Sequence, residues 1–282
     1  MLLSIVRRQY QTSTANSMKN TLLTLVLLSL TSCFNGTGKE IKPANHTVSN
    51  TETKSPEPAV TSPQKTAEQE KYTAQVEQYT AAIEADPKVP ENYTHRAYAY
   101  HKLENFEAAG VDANKALSLN PKNPETLQIA LFLVGNYELN QRNNLELAKS
   151  YFKKASEVKP SAEGLLTLSY YSLGKVFEKQ NNYDRALNYY IMATKQDTKD
   201  NEILSDIYLS RGYLYAKNQK PWQAIDDYQK VVELRQNSPK LWEPHYQLGI
   251  VLDSVKNYYQ AIDEYTQAFN LNSDNFHFQG LR

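Results

Sequence analysis

The chain has 282 residues, of which 31 are basic and 31 acidic, and 21 are Tyr against 8 Phe and 2 Trp. Balanced charge excludes a global field that would draw the whole molecule to nucleic acid or to an anionic surface, so no nucleic-acid partner is expected. The only cysteine, Cys33, excludes an intramolecular disulfide, and a content of only 9 Gly points to a helical rather than a turn-rich β protein.

The N-terminal region reads as an address. Thr21 to Thr31, TLLTLVLLSLT, is an apolar core preceded by Lys19. As a helix it would rise only about 16 Å, roughly half of a bilayer's hydrocarbon thickness, so a signal-peptide core fits better than a transmembrane span. The run ends Leu30-Thr31-Ser32-Cys33. That ending resembles a bacterial lipobox, in which small residues fit a narrow peptidase cleft and the cysteine thiol carries the lipid. The resemblance implies a signal peptide over 1–33, lipidation at Cys33 with palmitate among its chains, and membrane attachment through that lipid. Met18-Lys19-Asn20 would make a natural start for such a signal. Phe34, in place of an aspartate after the cysteine, points to the outer membrane facing the periplasm.

Residues 34–66 are rich in Pro, Ser, Thr, Asn, Lys and Glu and cannot bury enough apolar surface to offset their ordering entropy. They are expected to form a disordered tether spanning about 30 Å on average.

From Ala67 onward the chain is periodic. A small residue recurs at Ala97, Gly135, Gly174, Gly212 and Gly249, at intervals of 38, 39, 38 and 37 residues. Each is followed by an alanine, at Ala109, Ala148, Ala186, Ala224 and Ala261. Four residues beyond stand Ala113, Phe152, Tyr190, Tyr228 and Tyr265, and three before stand Phe106, Leu145, Tyr183, Pro221 and Tyr258. Two helices that cross closely need a missing side chain on one, a methyl on the other and a knob beside them.

These offsets resemble the tetratricopeptide (TPR) pattern, most fully in Tyr170 to Asp197, YYSLGKVFEKQNNYDRALNYYIMATKQD. The resemblance implies an all-α fold, a right-handed superhelical solenoid of TPR helical hairpins. A leading helix over 67–87 is expected, then five repeats near 90–123, 124–160, 161–200, 203–238 and 240–275, and a tail over 276–282. The family unit has 34 residues, an interval kept here only between Pro87 and Pro121. The additional residues are expected in longer helices or longer connections between hairpins. Pro221 takes the aromatic turn position of the fourth repeat, where it can open the second helix, with Trp222 expected to supply the lost packing. Seven residues cannot form a capping helix. The end is therefore to be covered by Phe276 and Phe278, by a partner, or by a second copy in a homodimer.

No catalytic signature appears: no HExxH, no Gly-rich phosphate loop and no cysteine pairs. His95 and His101 fall on opposite sides of a helix, and Asp226-Asp227 is expected on a solvated helix surface. No enzyme activity, cofactor or metal is therefore expected. The resemblance instead implies a concave groove lined by the first helix of each repeat. Its residues are Thr94, Phe132, Tyr171, Leu209 and Tyr246, three before each small residue, and Tyr98, Asn136, Lys175, Tyr213 and Ile250, one after it. A row of tyrosines offers large contact area at little rotamer cost, which suits other proteins or peptides. The expected function is a membrane-anchored scaffold that assembles or recruits envelope proteins. The rival readings are a secreted or surface protein that binds extracellular or host ligands and, behind it, an enzyme without a recognisable motif.

Overall fold

The computed structural model describes residues 63–272 apart from Glu163 and Asn237. The signal peptide, Cys33, tether residues 34–62 and the tail with Phe276 and Phe278 lie outside the described residues, as does any homodimer contact through that tail. The described part belongs to one compact unit, Val60–Arg282.

Eleven α-helices make up this part, with no strand among the described residues. They are α1 (Pro63–Ala85), α2 (Pro90–Lys102), α3 (Phe106–Ser118), α4 (Pro124–Asn140), α5 (Leu145–Glu157) and α6 (Leu165–Lys179). Then come α7 (Tyr183–Thr194), α8 (Asn201–Lys217), α9 (Pro221–Leu234), α10 (Trp242–Ser254) and α11 (Tyr258–Leu271). Helix α1 begins at Pro63, four residues ahead of the expected Ala67, because proline suits the first helical turn, where no amide is needed.

The pairs α2/α3, α4/α5, α6/α7, α8/α9 and α10/α11 form hairpins that stack in chain order, with α1 against α2. First helices also touch first helices, α2 on α4, α4 on α6 and α8 on α10, whereas no two second helices pack to the same extent among the described residues. The first helices therefore line the inner side of the stack.

The small-residue rule holds at atomic level. A Cβ placed on Gly135, Gly174, Gly212 or Gly249 would lie 2.6, 2.3, 2.8 or 2.7 Å from a ring carbon of Phe152, Tyr190, Tyr228 or Tyr265. Only a residue without a side chain lets these rings enter, three of them fully buried and Tyr265 half-buried. In the first hairpin both positions are alanine, Ala97 and Ala113, so the volume is shared differently.

Each hairpin turn contains a left-handed residue, Glu104, Asn143, Asn181, Gln219 or Lys256, with φ of 60, 50, 58, 56 and 64°. The next residue opens the second helix. Asn105, Asn144 and Asn182 accept a hydrogen bond from the amide three residues on, satisfying one orphan donor. The additional residues of the repeats fall mostly in longer first helices, 17, 15 and 17 residues in α4, α6 and α8 against 13 in α2. The rest fall in the connections 158–164, 195–200 and 235–241, against 119–123 in the first repeat. The fully buried Gln128 holds the first of these. Its amide donates to the Ala155 carbonyl (2.9 Å) and to Ser161 Oγ (2.8 Å) and accepts from Ala162 N (2.7 Å).

Two expectations are overturned. Pro221 does open α9, but Trp222 supplies no packing, since it is 64% exposed. A residue one step past the turn position projects off the hairpin edge rather than into it. Asp227 is not a solvated surface acid but is buried against Arg211, as described below.

Candidate protein-binding groove

The inner surface is built from α2, α4, α6, α8 and α10, each turned by its small residue toward its own second helix. Three residues before the small residue is nearly one turn back on the same helix, so that side chain also meets the second helix. Phe132 lies 5.8 Å from Phe152, Tyr171 5.7 Å from Tyr190 and Tyr246 5.9 Å from Tyr265, centroid to centroid. Thr94 is buried and donates its hydroxyl to the Pro90 carbonyl (3.1 Å), while Leu209 packs in the cluster that contains Tyr228. Thr94 and Phe132 are therefore core, not lining. Tyr171, Leu209 and Tyr246 are half-buried and present only an edge.

The set one residue after the small position points outward. Tyr98, Tyr213 and Ile250 are exposed large side chains, Lys175 is exposed and Asn136 is half-buried. The expected row of five aromatic rings is thus two exposed tyrosines, Tyr98 and Tyr213, two partly sunken ones and one buried phenylalanine.

A lysine one turn further on accompanies each tyrosine of the groove except Tyr246. Lys102 Nζ lies 5.7 Å from the Tyr98 ring centroid, Lys175 5.5 Å from Tyr171 and Lys217 5.8 Å from Tyr213. These are cation–π distances. Burial pushes the Tyr171 phenol up to about 12 and raises Tyr98 and Tyr246 as well, so these hydroxyls remain neutral donors at physiological pH.

Three further polar residues meet here. Tyr171 and Ser210 share a hydrogen bond of 3.4 Å between their oxygens. Arg235, just past α9, donates to Ser205 Oγ (2.7 Å) and to the Asp206 carboxylate. Burial raises Asp206, with Arg235 and Lys175 pulling it back. Asp206, Ser210 and Arg235 were not legible from the sequence, because Arg235 reaches back to α8 from beyond α9 and no other repeat has an arginine at its position.

Behind the groove the first and fourth hairpins carry a shared cross-link that spans three helices. Arg96 Nε and Nη2 donate to the Asp112 carboxylate (2.7 and 2.9 Å), and Nη1 donates to Thr80 Oγ1 (3.1 Å) on α1. Arg211 repeats this with Asp227 (2.7 and 2.6 Å) and with Thr194 Oγ1 (2.8 Å) on α7. Tyrosines flank each guanidinium, Tyr93 and Tyr100 around Arg96, Tyr208 and Tyr215 around Arg211. The sequence signal was present as Tyr-x-x-Arg-small-x-x-Tyr with Asp just before the second-helix knob. His95 stacks on Tyr79 and His101 meets Phe106 edge-on, so both are engaged in packing.

A stack of helical hairpins with glycine–aromatic crossings and a first-helix inner face defines a repeat solenoid of the protein-binding kind. Family models described as "Tetratricopeptide repeat" match residues 90–123 and 171–239. The anaphase-promoting complex subunit 3 of Schizosaccharomyces pombe is 25% identical over 69% of this chain and 27% of its own length. A TPR repeat-containing protein of Methanocaldococcus jannaschii is 29% identical over 64% of this chain and 28% of its own. The chain thus spans little more than a quarter of the curated relatives it matches. The crystal structure of YrrB, titled a TPR protein with an unusual peptide-binding site, has a similar fold. It matches with a TM-score of 0.52 at 22% identity, over 71% of this chain and 94% of that one. The chain is a tetratricopeptide-repeat protein, a class that serves as a protein–protein interaction scaffold and is generally non-catalytic.

Proposed function

We propose that the chain is a non-catalytic scaffold that receives an extended segment or helix of another protein on its inner face. Tyr98, Asn136, Lys175, Tyr213 and Ile250 form the contact row, and the edges of Tyr171 and Tyr246 form its floor. The observation that carries this is the outward exposure of residues one step past each crossing, on helices that touch one another along the stack. Exposed tyrosines on a rigid helical backbone are good anchors, because they bring area and a polar tip with little entropy to lose. The peptide-binding site named for YrrB supports a peptide as the class of occupant.

The lipobox-like Leu30-Thr31-Ser32-Cys33 and the polar stretch after it support a working location at a bacterial envelope, lipid-anchored through Cys33 at the periplasmic face of the outer membrane. There the scaffold assembles or recruits envelope proteins. The groove is tested by placing a photo-crosslinking amino acid at position 213 and, as control, at exposed Lys153 on α5. A partner captured from 213 and not from 153 is the expected result. Equal capture from both removes the groove. The anchor is tested separately, by mass spectrometry of membrane fractions; an unacylated Cys33 would reject it.

A further inference from the structure

The second helices present a recurring row of side chains to whatever comes next in the stack. On α7 the row is Tyr183, Leu187, Tyr190 and Thr194, and on α9 it is Pro221, Ile225, Tyr228 and Val232. The spacing i, i+4, i+7, i+11 keeps each row on one side of its helix. The following first helix covers it. Leu187 shares a core cluster with Ile207 and Leu214 of α8, and Ile225 shares one with Leu248, Val251 and Leu252 of α10. Leu187 is left 7% exposed and Ile225 6%, and the rings of Tyr190 and Tyr228 are wholly buried.

On α11 the same row is Tyr258, Ile262, Tyr265 and Phe269, and no helix follows it among the described residues. Ile262 is 44% exposed, and Tyr265 is only half-buried where Tyr190 and Tyr228 are sealed. Tyr258 is exposed as well, and Phe269, though engaged in a contact, keeps half its surface in water. The charged residues of α11 lie off the row: Asp263 is exposed and Glu264 is bonded to His245. The last helix thus carries an apolar flank of the kind that every earlier hairpin buries.

The segment that follows, Ser273 to Arg282, reads SDNFHFQGLR. Asn272, Ser273, Asp274 and Asn275 are residue types that reverse a chain. Phe276 and Phe278 alternate with polar residues, which puts both rings on one side of an extended segment. The lengths agree. From Phe269 back to Tyr258 the row runs about 16 Å at the helical rise, and residues 276–281 span about 20 Å when extended. A second copy of the chain is a poorer occupant. A row one side chain wide is small against the roughly 800 Å² per partner of a stable association between separate molecules, whereas a tethered segment is held at an effective concentration of about millimolar.

We infer that residues 273–282 turn back along α11 and lay Phe276 and Phe278 on Ile262 and Tyr265, closing the stack in place of a sixth hairpin. The covered flank is then closed to the first helix of another copy, which would otherwise extend the solenoid head to tail. This contact is separate from the groove and leaves the inner face accessible.

The test is disulfide trapping in the full chain carrying Cys33→Ser, so that only introduced thiols react. Ile262→Cys is paired in turn with Phe276→Cys and with Phe278→Cys. The control pairs use Gln267→Cys, an exposed position on the other side of α11. With oxidised glutathione, at least one of the Ile262 pairs is expected to close within a single chain roughly ten-fold faster than its Gln267 control. A second measurement leaves the cysteines out. Phe276→Ser with Phe278→Ser is expected to speed amide hydrogen exchange in α11 roughly ten-fold and to leave α1 to α7 unchanged. Equal closure rates for the Ile262 and Gln267 pairs overturn the proposal, as does unchanged exchange in α11. Bridges that join two chains rather than one, seen on a non-reducing gel, would replace the tail with a second copy. Far-UV circular dichroism checks that every variant keeps its helices.

Discussion

Gly174 and Tyr190 are made for each other: a Cβ on the glycine would stand 2.3 Å from a ring carbon of a tyrosine that is wholly buried. The ring cannot swing away, because its hydroxyl donates to Glu178 Oε2 at 2.6 Å. Gly174→Ala is therefore expected to destabilise by about 1–3 kcal/mol through overpacking, although alanine is the better helix former. The first hairpin shows the alternative solution, with Ala97 and Ala113 in the corresponding places. Tyr190→Ala alone should cost about 3–5 kcal/mol, by analogy with other large-to-small core changes. The double variant should lose less than the sum of the two. Urea denaturation of the three proteins measures the coupling, and simple additivity would mean that the two positions do not share the crossing.

The turns hold unused stability. Left-handed φ at Gln219 (56°) and Lys256 (64°) forces a Cβ against the following carbonyl, a strain that glycine does not feel. Part of the gain is lost to the freer unfolded chain. Gln219→Gly and Lys256→Gly are each expected to raise stability by about 0.5–1 kcal/mol. Asn181→Gly should change little, because asparagine tolerates this region. A thermal melt in which all three respond alike would show that the turns relax instead of holding their shape.

The helical repeat was readable in advance because one physical need, a close crossing, imposes a small residue five times and an aromatic knob four times. The site was readable only in part. Thr94, Phe132 and Tyr171 share a helical face with the crossing, so the packing that defines the repeat claims them first; Tyr98 and Tyr213 lie one step round and escape it. Asp227 beside Asp226 looks like any exposed acid pair. Its burial depends on Arg211, 16 residues back, and on Thr194 from the preceding hairpin, a coincidence of three helices. Trp222 misled for the opposite reason, since nothing in one repeat reveals that a ring next to the turn is left outside.

Two tyrosines in equivalent crossings differ in what their hydroxyls meet. Tyr190 donates to Glu178, while the fully buried Tyr228 hydroxyl has no hydrogen-bond partner among the described residues, since Ala216 stands where Glu178 does. Removing a bonded hydroxyl loses a charge-assisted bond, whereas removing an unbonded buried one relieves a desolvation cost. Tyr190→Phe should destabilise by about 1.5–3 kcal/mol, and Tyr228→Phe should be neutral or stabilising by up to about 1 kcal/mol. Chemical denaturation decides the matter, and a clear loss in Tyr228→Phe would show that its hydroxyl is satisfied in solution.

Arg211 and Asp227 give the sharpest pH-dependent test. Burial raises the Asp227 carboxyl above its ordinary 3.8, and the bidentate guanidinium pulls it back toward the charged form. Arg211→Met removes that offset and strands a buried carboxylate, so the loss at pH 7 is expected to be about 3–5 kcal/mol. The sign of the pH effect follows from the raised value. A carboxyl whose folded pKa exceeds its unfolded one binds protons more tightly in the folded state, so its relative stability is greatest below the unfolded pKa and falls as pH rises through the folded one. Without Arg211 that folded value moves further up. The deficit of Arg211→Met against the parent protein should therefore shrink as pH is lowered from 7 toward 4. The third hairpin indicates the repair. It has Leu173 and Tyr189 in the slots of Arg211 and Asp227, both packed into apolar clusters. Arg211→Leu with Asp227→Tyr is expected to recover most of the lost stability and to abolish the pH dependence of the deficit, because no buried charge remains. Denaturant midpoints of the parent, the single and the double variant at pH 7, 5.5 and 4 provide the measurement. A deficit that is constant with pH in Arg211→Met would mean that Asp227 reaches water once its partner is gone.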